Sequence, residues 1–296
     1  MTSPPSFDLQ SHSTYSDGSL TPAQVVAAAA AAGVRLLALT DHDTVDGVDE
    51  ALAAAAAESS AIRVIPAVEI SARDANNGDL HICGYLINPH DAQLAHQLRE
   101  SRLERQHRAE RMCDALRALG WQVDRDELES RRRAGEAIGR PHLAAAVVND
   151  PANRARLERE RLRDPSAFLE AYLIEGRPAF RERQAPSVTR VIELIHGAGG
   201  IAIWAHPFWD LADDQSVLDT LTRFKELGLD GVEAFYITHT RAQVQLLARS
   251  CAELDLISTG SSDFHGPAHR RFNRFRAFAT YGLTPQLGRL QETTAS

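Results

Sequence analysis

The sequence predicts an α/β fold of about seven strand–helix units, interrupted by a mostly helical segment. Short apolar runs alternate with helical patterns over residues 1–90 and again after residue 187. This alternation is typical of a parallel sheet whose crossover connections are helices. A chain of 296 residues is long enough for one large α/β domain with an insertion. The pattern favours a closed, slightly irregular barrel over an open sheet but does not decide between them.

The first elements follow from strand runs and helix signals. Phe7–Gln10 is a short strand, and Thr21 and Pro22 are suited to an N-cap and a first helical position. They begin an Ala-rich helix over 22–32, and Gly33 stands where a left-handed residue often ends a helix. The next elements are predicted as strand 34–40, helix 46–58, strand 63–68 and strand 80–86.

The middle of the chain is predicted to be helical. Residues 91–170 are charged, with Leu and Ala at helical spacing and few strand signals. The alternation then resumes with helix 187–198, strand 201–205, helix 215–227, strand 231–235, helix 240–254 and strand 256–259. We therefore divide the chain into a first barrel part over 1–97, a helical insertion over 98–178 and a second barrel part over 179–296.

Composition indicates a cytoplasmic protein. Hydrophobic residues make up 44% of the chain and charged residues 24%, as in ordinary globular proteins. No apolar run approaches the roughly 18 residues of a membrane helix, and the polar start of the chain does not resemble a secretory signal. The three cysteines are far apart, which favours a reducing compartment over a disulfide framework. We expect no membrane association and no obligate protein partner.

Charge is distributed unevenly. The net charge of −8 argues against nucleic-acid binding by the whole surface. Residues 99–183 nevertheless carry 19 arginines against 16 acidic residues, so the excess of acid lies in the rest of the chain. An acidic body can attract divalent cations and an Arg-rich segment can meet anions, although many such arginines form solvated helix surface.

Candidate metal ligands follow the predicted strands. The strand-end residues are Asp8, Gln10 and His12, with Asp17 beyond; Asp41, His42 and Asp43; Glu69; His81; His206; and Asp263 with His265. The ends of parallel barrel strands meet at one face, so these side chains should converge. One such residue alone is more often a cap or a packing residue. Independent caps do not explain a series that continues along most of the sheet.

The donor types indicate catalytic metal ions. Imidazoles and carboxylates without paired cysteines suit Zn, Mn or Fe in a catalytic site rather than structural zinc. The candidates exceed what one ion can bind, so we expect two to three divalent ions, with Glu69 as the natural bridge. Clustered ions lower the pKa of bound water and stabilise the attacking and leaving oxygens of a phosphoryl group.

Six segments resemble the motifs of PHP-domain phosphoesterases. They are DLQSH at 8–12, YSDG at 15–18, LTDHD at 39–43, VEI at 68–70, AHP at 205–207 and GSSDFH at 260–265. Within that superfamily the chain resembles bacterial nucleoside 3′,5′-bisphosphate phosphatases and RNase AM-like 5′–3′ exoribonucleases. The resemblance implies a distorted seven-stranded (β/α) barrel of PHP type with a helical insertion, and a trinuclear manganese or mixed-metal site.

Carried over by position, the resemblance implies three metal sites. The first would use Gln10, His12, Glu69 and Asp263; the second Asp17, His42 and His265; and the third Glu69, His81 and His206. Asp41 and Asp43 would orient His42 from behind. No catalytic group is assigned beyond metal-bound water, because no Ser or Cys lies in a Gly-flanked elbow.

Gln10 departs from the family, which has His at this position. An amide oxygen is a weaker ligand than imidazole for Zn or Mn, so the first site could be empty, loosely filled or selective for a harder ion. Alternatively, the remaining ligands and a water suffice. The departure puts catalytic competence in question and leaves the fold untouched.

Four residues in or beside the predicted insertion are candidates for binding a phosphate group of the substrate. Arg99 and Arg102 begin the insertion, and Arg140 with His142 lies within it. Both segments resemble those that contact nucleotide phosphates in the family, and Arg binds phosphate in a bidentate way. A solvated helix face is an equally ordinary reading of Arg99 and Arg102.

Three functions are compatible with the sequence. The first is hydrolysis, by metal-bound hydroxide, of a nucleotide phosphomonoester of the nucleoside 3′,5′-bisphosphate type. The second is a 5′–3′ exoribonuclease on short RNA, and the third is a weakly active metal-binding protein in which Gln10 has replaced a ligand histidine. We find no RNA-binding module or aromatic stacking motif in the sequence, which favours a small phosphorylated substrate, most simply a nucleotide.

Overall fold

In the computed structural model, which describes residues 5–57, 62–133 and 138–292, seven strands form one sheet in chain order. The strands are β1 (Phe7–Asp8), β2 (Leu36–Leu39), β3 (Arg63–Asp74), β4 (Gly78–Tyr85), β5 (Ile201–Trp204), β6 (Gly231–Tyr236) and β7 (Ile257–Ser261). The sheet nearly closes because β1 meets β7. The amide of Leu9 donates to the carbonyl of Gly260 at 3.2 Å, and Ser11 bridges Phe264 in parallel. The predicted (β/α) barrel is confirmed.

The direction of β4 differs from the predicted parallel arrangement. β4 is antiparallel to both β3 and β5, whereas β1–β2, β2–β3, β5–β6 and β6–β7 pair in parallel. Only residues 75–77 separate β3 from β4, and a parallel pair would need a crossover of a dozen or more residues. β3 also continues to Asp74 instead of ending at residue 68, because it forms the first arm of this hairpin.

Helices fill the connections at the predicted places. They are α1 (Pro22–Ala31), α2 (Val48–Ala57), α3 (Ala92–Ala118), α4 (Arg125–Arg133), α5 (Arg140–Val148), α6 (Arg154–Glu160), α7 (Pro165–Tyr172), α8 (Val188–Gly197), α9 (Pro207–Asp210), α10 (Asp214–Glu226) and α11 (Arg241–Leu254). Thr21 caps α1 by accepting from the amide of Gln24, and Gly33 after its end has φ +79°, as expected. The predicted end of the second helix, residue 58, lies outside the described residues.

The chain forms two compact units with separate hydrophobic cores. The barrel unit comprises Met1–Arg99 and Ala185–Ser296, and the insertion unit comprises Glu100–Gln184. In the barrel unit, Ile82, Trp204 and Phe235 are fully buried among the strands and their covering helices. In the insertion unit, the core forms around Trp121 and Phe168, whose rings meet edge to face at 5.1 Å. Within the described residues, no helix combines the length and apolar character of a membrane span.

Candidate metal centre

One edge of the sheet collects most of the predicted metal ligands. His12 follows β1, His42 follows β2, His206 follows β5, and Asp263 and His265 follow β7. The carboxyl ends of parallel strands lie together at one rim of a barrel. Side chains from distant parts of the sequence therefore converge there.

Glu69 and His81 reach the same rim from inside their strands. β3 extends past the end of β2, and Glu69 forms an isolated parallel bridge with His42. β4 runs the other way, so its first residues lie at the rim where the parallel strands end. His81 lies in the first half of β4. It can therefore join a site that is made mostly of residues following the ends of parallel strands.

Glu69 is the centre of the cluster. Its Oε1 lies 2.7 Å from His81 Nδ1 and 3.1 Å from His206 Nε2. Its Oε2 lies 3.2 Å from His12 Nε2 and 3.3 Å from His42 Nδ1. The carboxylate is fully buried, so each of its oxygens faces two imidazoles away from solvent.

A second group surrounds Asp17. Its Oδ1 lies 3.4 Å from His265 Nε2 and 3.8 Å from His12 Nδ1, and its Oδ2 lies 3.7 Å from His42 Nε2. These four residues each offer a ligand atom within 4.8 Å of the others, as do His42, Glu69 and His81. His12 and His42 thus lie between the two groups, and the arrangement can hold more than one cation.

Asp263 has a partner that the sequence analysis missed. Its Oδ1 is 3.0 Å from His12 Nε2, and its Oδ2 accepts a hydrogen bond of 2.7 Å from the hydroxyl of Tyr236. Tyr236 is the last residue of β6, and the sequence analysis treated this segment only as an apolar strand. Its position at the end of a strand is the sequence feature that could have indicated a role in the site.

Three residues at the rim have left-handed backbone conformations. Asp43, His206 and Asp263 have φ values of +54°, +31° and +53°. Non-glycine residues rarely adopt this region, and such strain persists only where the surroundings enforce it. At each position the chain turns sharply as it leaves a strand, which directs the side chain over the end of the barrel.

Asp41 fixes the loop that carries His12. Its Oδ1 accepts from the amide of Ser13 at 2.7 Å and from Ser16 Oγ at 2.6 Å, and its Oδ2 accepts from Ser13 Oγ at 2.7 Å. These partners differ from the predicted one, the His42 ring. Gly18 closes the same loop, and a Cβ there would lie 2.2 Å from the carbonyl oxygen of His12, so only glycine fits.

Asp43 binds β3 in a similar way. Its Oδ1 accepts from the amide of Ser71 at 2.9 Å and its Oδ2 from Ser71 Oγ at 3.0 Å. The amide of Asp43 donates to the carbonyl of Glu69 at 2.9 Å. On the other side of His42, the carbonyl of Asp41 accepts from the amide of Glu69 at 3.3 Å, so the segment is bound to β3 on both sides of that histidine.

Glu233 performs the same task for His206 and was also missed from the sequence. Its Oε2 accepts from the amide of His206 at 3.0 Å, and its Oε1 accepts from Ser261 Oγ at 2.5 Å. Burial raises the pKa of Glu233 to about 8. Its position inside the apolar run of β6 gave no sign of a role at the rim.

Asp8 connects the two closing strands. It accepts from the amide and Oγ of Ser262 at 2.9 and 2.5 Å, and from the amide of Arg276 at 2.8 Å. Burial raises the pKa of Asp8 to about 7 in spite of these bonds. Asp8 thereby holds the β7 end, and with it Asp263, against β1.

The charge states suit cation binding. Burial opposes ionisation of Glu69, but the imidazoles around it, among them His81 and the hydrogen-bonded His206, outweigh burial and lower the pKa of Glu69 well below its ordinary value. Burial lowers the pKa of His42 to about 3, so this imidazole is neutral and can donate a lone pair. Burial also opposes protonation of His206, yet the carboxylate of Glu69 raises its pKa to about 10. A cation would replace the proton that His206 otherwise holds.

Gln10 lies in the barrel end with its amide unpaired. The residue is 1% exposed, and neither Oε1 nor Nε2 has a hydrogen-bond partner among the described residues. Glu69 Oε2 and His206 Nδ1 are likewise buried without a hydrogen bond. Unpaired buried polar atoms are costly, and a cluster of them is expected where an ion or water belongs. The donor set and these atoms fit divalent metal ions.

The four predicted substrate residues lie in both units. Arg99 is exposed on α3 at the end of the first barrel segment, and Arg102 is half-buried on the same helix within the insertion unit. Arg140 is exposed and begins α5. His142 Nδ1 accepts from the amide of Gly139 at 3.0 Å, so this ring caps α5 in addition to any contact with substrate.

Known proteins are similar to this chain over most of its length. The PHP domain model matches residues 8–145. A 5′–3′ exoribonuclease of Haemophilus influenzae is 34% identical over 261 residues, which cover 88% of this chain and 90% of that protein. A 3′,5′-nucleoside bisphosphate phosphatase of Chromobacterium violaceum is 33% identical over 264 residues, covering 88% of this chain and 87% of the relative.

Two solved structures share the fold. A Chromobacterium violaceum protein described as an amidohydrolase, with bound sulfate and no metal, aligns with a TM-score of 0.79 and 31% identity. The alignment covers 92% of this chain and 91% of that one. A protein of Bifidobacterium adolescentis described as a metal-dependent phosphoesterase aligns with a TM-score of 0.75 and 27% identity over 91% of both chains.

Proposed function

The chain belongs to the PHP-domain family of metal-dependent phosphoesterases, and on that premise we propose that it hydrolyses a nucleotide phosphomonoester of the nucleoside 3′,5′-bisphosphate type. That it is a metal-dependent hydrolase of phosphoric esters follows from the family. The substrate is our proposal. It is supported by the Chromobacterium violaceum phosphatase, which is similar to this chain over nearly its whole length.

The structural observation that supports metal-dependent hydrolysis is the environment of Glu69. Two imidazoles face each oxygen of this buried carboxylate, which is the arrangement a bridging ligand requires. We propose two to three divalent ions, Mn, Zn or Fe. The ligands would be His12, Asp17, His42, Glu69, His81, His206, Asp263 and His265, with Gln10 as a weak additional donor.

The chain's own residues keep these donors in place. Asp41 and Asp43 fasten the segments around His12 and His42, while Glu233 fixes the backbone of His206. When bound, the metal ions would lower the pKa of a water and neutralise charge on the phosphoryl oxygens. Phosphate contacts of the substrate would come from Arg99, Arg102, Arg140 and His142.

An exoribonuclease acting on short RNA is the second candidate. The Haemophilus influenzae relative that bears this activity in its name is as similar to the chain as the phosphatase is. The two activities share their chemistry and differ in the group that leaves. The third reading, a weakly active metal-binding protein, depends on how far Gln10 weakens its site.

Product analysis separates the three readings. The protein would be stripped with a chelator, reloaded with Mn, Zn or Fe, and given adenosine 3′,5′-bisphosphate or a short 5′-phosphorylated RNA. We expect inorganic phosphate from the bisphosphate and little activity without metal. Faster release of mononucleotides from RNA would favour the exoribonuclease. No turnover of either substrate with any metal would leave only the weakly active reading.

Besides metal ions, we propose a small phosphorylated ligand, a nucleotide, with short RNA as the alternative. We propose neither membrane binding nor an obligate protein partner. We also propose a cytoplasmic location. It is supported by Cys83, Cys113 and Cys251, which are all free thiols in buried positions.

A further inference from the structure

The barrel rim carries an exposed tryptophan beside the metal centre. Trp209 is 52% exposed, more than any other large hydrophobic residue described. Arg271 places its guanidinium carbon 5.5 Å from the centre of the Trp209 ring, and Phe272 packs against the same ring at 5.8 Å. We call Trp209, Arg271 and Phe272 the aromatic platform. Trp209 lies more than sixty positions before the neighbouring residues Arg271 and Phe272, so no local sequence pattern predicts their contact.

The aromatic platform is held by the segments that carry the proposed ligands. Trp209 lies on α9, directly after His206, and its amide donates to the His206 carbonyl at 2.8 Å. The loop bearing Arg271 and Phe272 is closed by a bond of 2.8 Å from the amide of His265 to the carbonyl of Phe272. The ring of His269 accepts from the amides of both Arg271 and Phe272, at 3.2 and 2.9 Å.

The aromatic platform adjoins the metal centre. Trp209 meets the ring of Tyr236 edge to face at 6.4 Å, and Tyr236 binds Asp263. Phe272 lies 5.5 Å from the ring of His265. A molecule whose phosphate reaches the cluster can therefore place an attached group against Trp209.

The side of the aromatic platform that carries Arg271 is rich in arginine, whereas Asp210 follows Trp209 on the other side. No acidic residue occurs between Asp263 and Glu292, whereas Arg270, Arg271 and Arg274 follow the metal loop closely. An exposed π surface flanked by arginine favours a flat aromatic group attached to an anion. Nucleotides have this combination of base and phosphate.

We propose that Trp209 and Arg271 stack on the nucleobase of the substrate and so select nucleotides over other phosphate esters. This inference rests on the proposed function and adds the group that recognises the base. Stacking on an aromatic face tolerates any base, since every base has a π face. The aromatic platform therefore predicts preference for nucleotides as a class rather than for one nucleobase.

Binding can be tested without catalysis. Trp121 and Trp204 are fully buried, so quenching of tryptophan fluorescence by added ligand reports mainly on Trp209. Metal-free protein would be titrated with adenosine 5′-monophosphate and, in parallel, with ribose 5-phosphate. We expect saturable quenching by the nucleotide and little by the sugar phosphate. Saturable quenching that is equal for both would show that the base is not recognised, and absence of quenching by either would overturn the proposal.

The kinetics of variants provide a second test of the proposal. Trp209→Ala should raise the ratio of KM for adenosine 3′,5′-bisphosphate to KM for ribose 5-phosphate about tenfold, the loss expected for one base stack. Trp209→Phe should restore most of it, and Leu227→Ala, at another exposed apolar residue, serves as the matched control. An unchanged ratio in Trp209→Ala would overturn the proposal. Failure of the wild type to hydrolyse any nucleotide would refute the proposed function instead, and the quenching result would still decide whether the base binds.

Discussion

The hydroxyl of Tyr236 and the carboxylate of Asp263 form a hydrogen bond of 2.7 Å at the end of the barrel. Both residues are almost completely buried, and the other oxygen of Asp263 faces His12. A hydrogen bond from behind fixes the rotation of a carboxylate and thereby aims its second oxygen. Tyr236 thus has the geometry of a residue that positions a metal ligand.

Removing this hydroxyl should weaken metal binding. Tyr236→Phe should reduce metal affinity or turnover about 10- to 100-fold, the usual effect of losing a partner of a ligand. Calorimetric titration with Mn would measure the affinity. Tyr172→Phe is the control, because it also removes a hydrogen bond from a tyrosine hydroxyl to a carboxylate, that of Glu160 at 2.8 Å, but in the insertion unit. Equal Mn affinity of Tyr236→Phe and wild type would contradict the positioning role.

The proposed ligands themselves should be indispensable for activity but not for folding. His42→Ala and Asp263→Ala should each reduce phosphatase turnover by more than about 100-fold, since losing a ligand should exceed the loss of its partner. Circular dichroism should show retained structure, because both residues lie at strand ends. His196→Ala, a histidine paired with Asp230 away from the cluster, should keep normal activity. Near-normal turnover of either ligand variant would show that the assigned cluster is wrong.

Gln10 should make one metal site weak. An amide oxygen donates less strongly than imidazole to Zn or Mn, and the other two proposed sites do not use this residue. Wild-type protein should bind two ions tightly and a third weakly, and Gln10→His should raise occupancy of the third. Metal content per chain at several Mn concentrations would test this. Three tightly bound ions in the wild type would show that Gln10 or a water already suffices.

Arg140 should matter for substrates with a second phosphate. A charge-assisted hydrogen bond contributes roughly 1.5–3 kcal/mol, so Arg140→Ala should raise KM for a nucleoside bisphosphate about tenfold or more. KM for a small aryl phosphate should change far less. Arg132→Ala, at another exposed arginine of the insertion unit, is the matched control. Equal losses on both substrates would remove Arg140 from recognition of the second phosphate.

Glu233 should contribute to stability even in metal-free protein. Glu233→Ala leaves the buried His206 amide and Ser261 hydroxyl without their acceptor, and each such group costs about 1–3 kcal/mol. Urea denaturation should therefore show a loss of about 2 kcal/mol or more. Glu233→Gln should lose less, because its amide oxygen can still accept one of the two hydrogen bonds and the pKa of about 8 keeps most of the native carboxyl neutral near pH 7. Identical losses in the two variants would argue against these hydrogen bonds.

The sequence predicted the barrel, its helical insertion and most element positions because hydrophobic periodicity and caps are local signals. It did not predict the direction of β4, since an apolar run has the same pattern in either direction and only the short turn at 75–77 distinguishes the two. The convergence of the histidines followed from strand ends alone. The number of candidate donors predicted a cluster of metal ligands. The distances in the structure show that these donors surround Glu69 and Asp17.

Residues that act from inside a strand or across segments escaped prediction. Glu233 and Tyr236 occur in the run GVEAFY, where burial is the obvious interpretation of the pattern. Trp209 and Phe272 are separated by more than sixty positions, so their packing depends on the tertiary fold. His142 was assigned to substrate from its segment, and its bond to Gly139 is a helix-capping contact that spacing did not reveal.

The pairing of β1 with β7 also determines at which stage of folding the metal centre can form. His12 and Asp263 meet across 251 positions of sequence, and Asp8 binds Ser262 across 254. Contacts of such separation form slowly, because a long loop must be ordered before they contribute. A nascent or partly folded chain can bring His12 near His42 but lacks the last strand, so its donors remain incomplete. Tight metal uptake should therefore mark the completed barrel, and the ions would stabilise only chains whose two ends have already met.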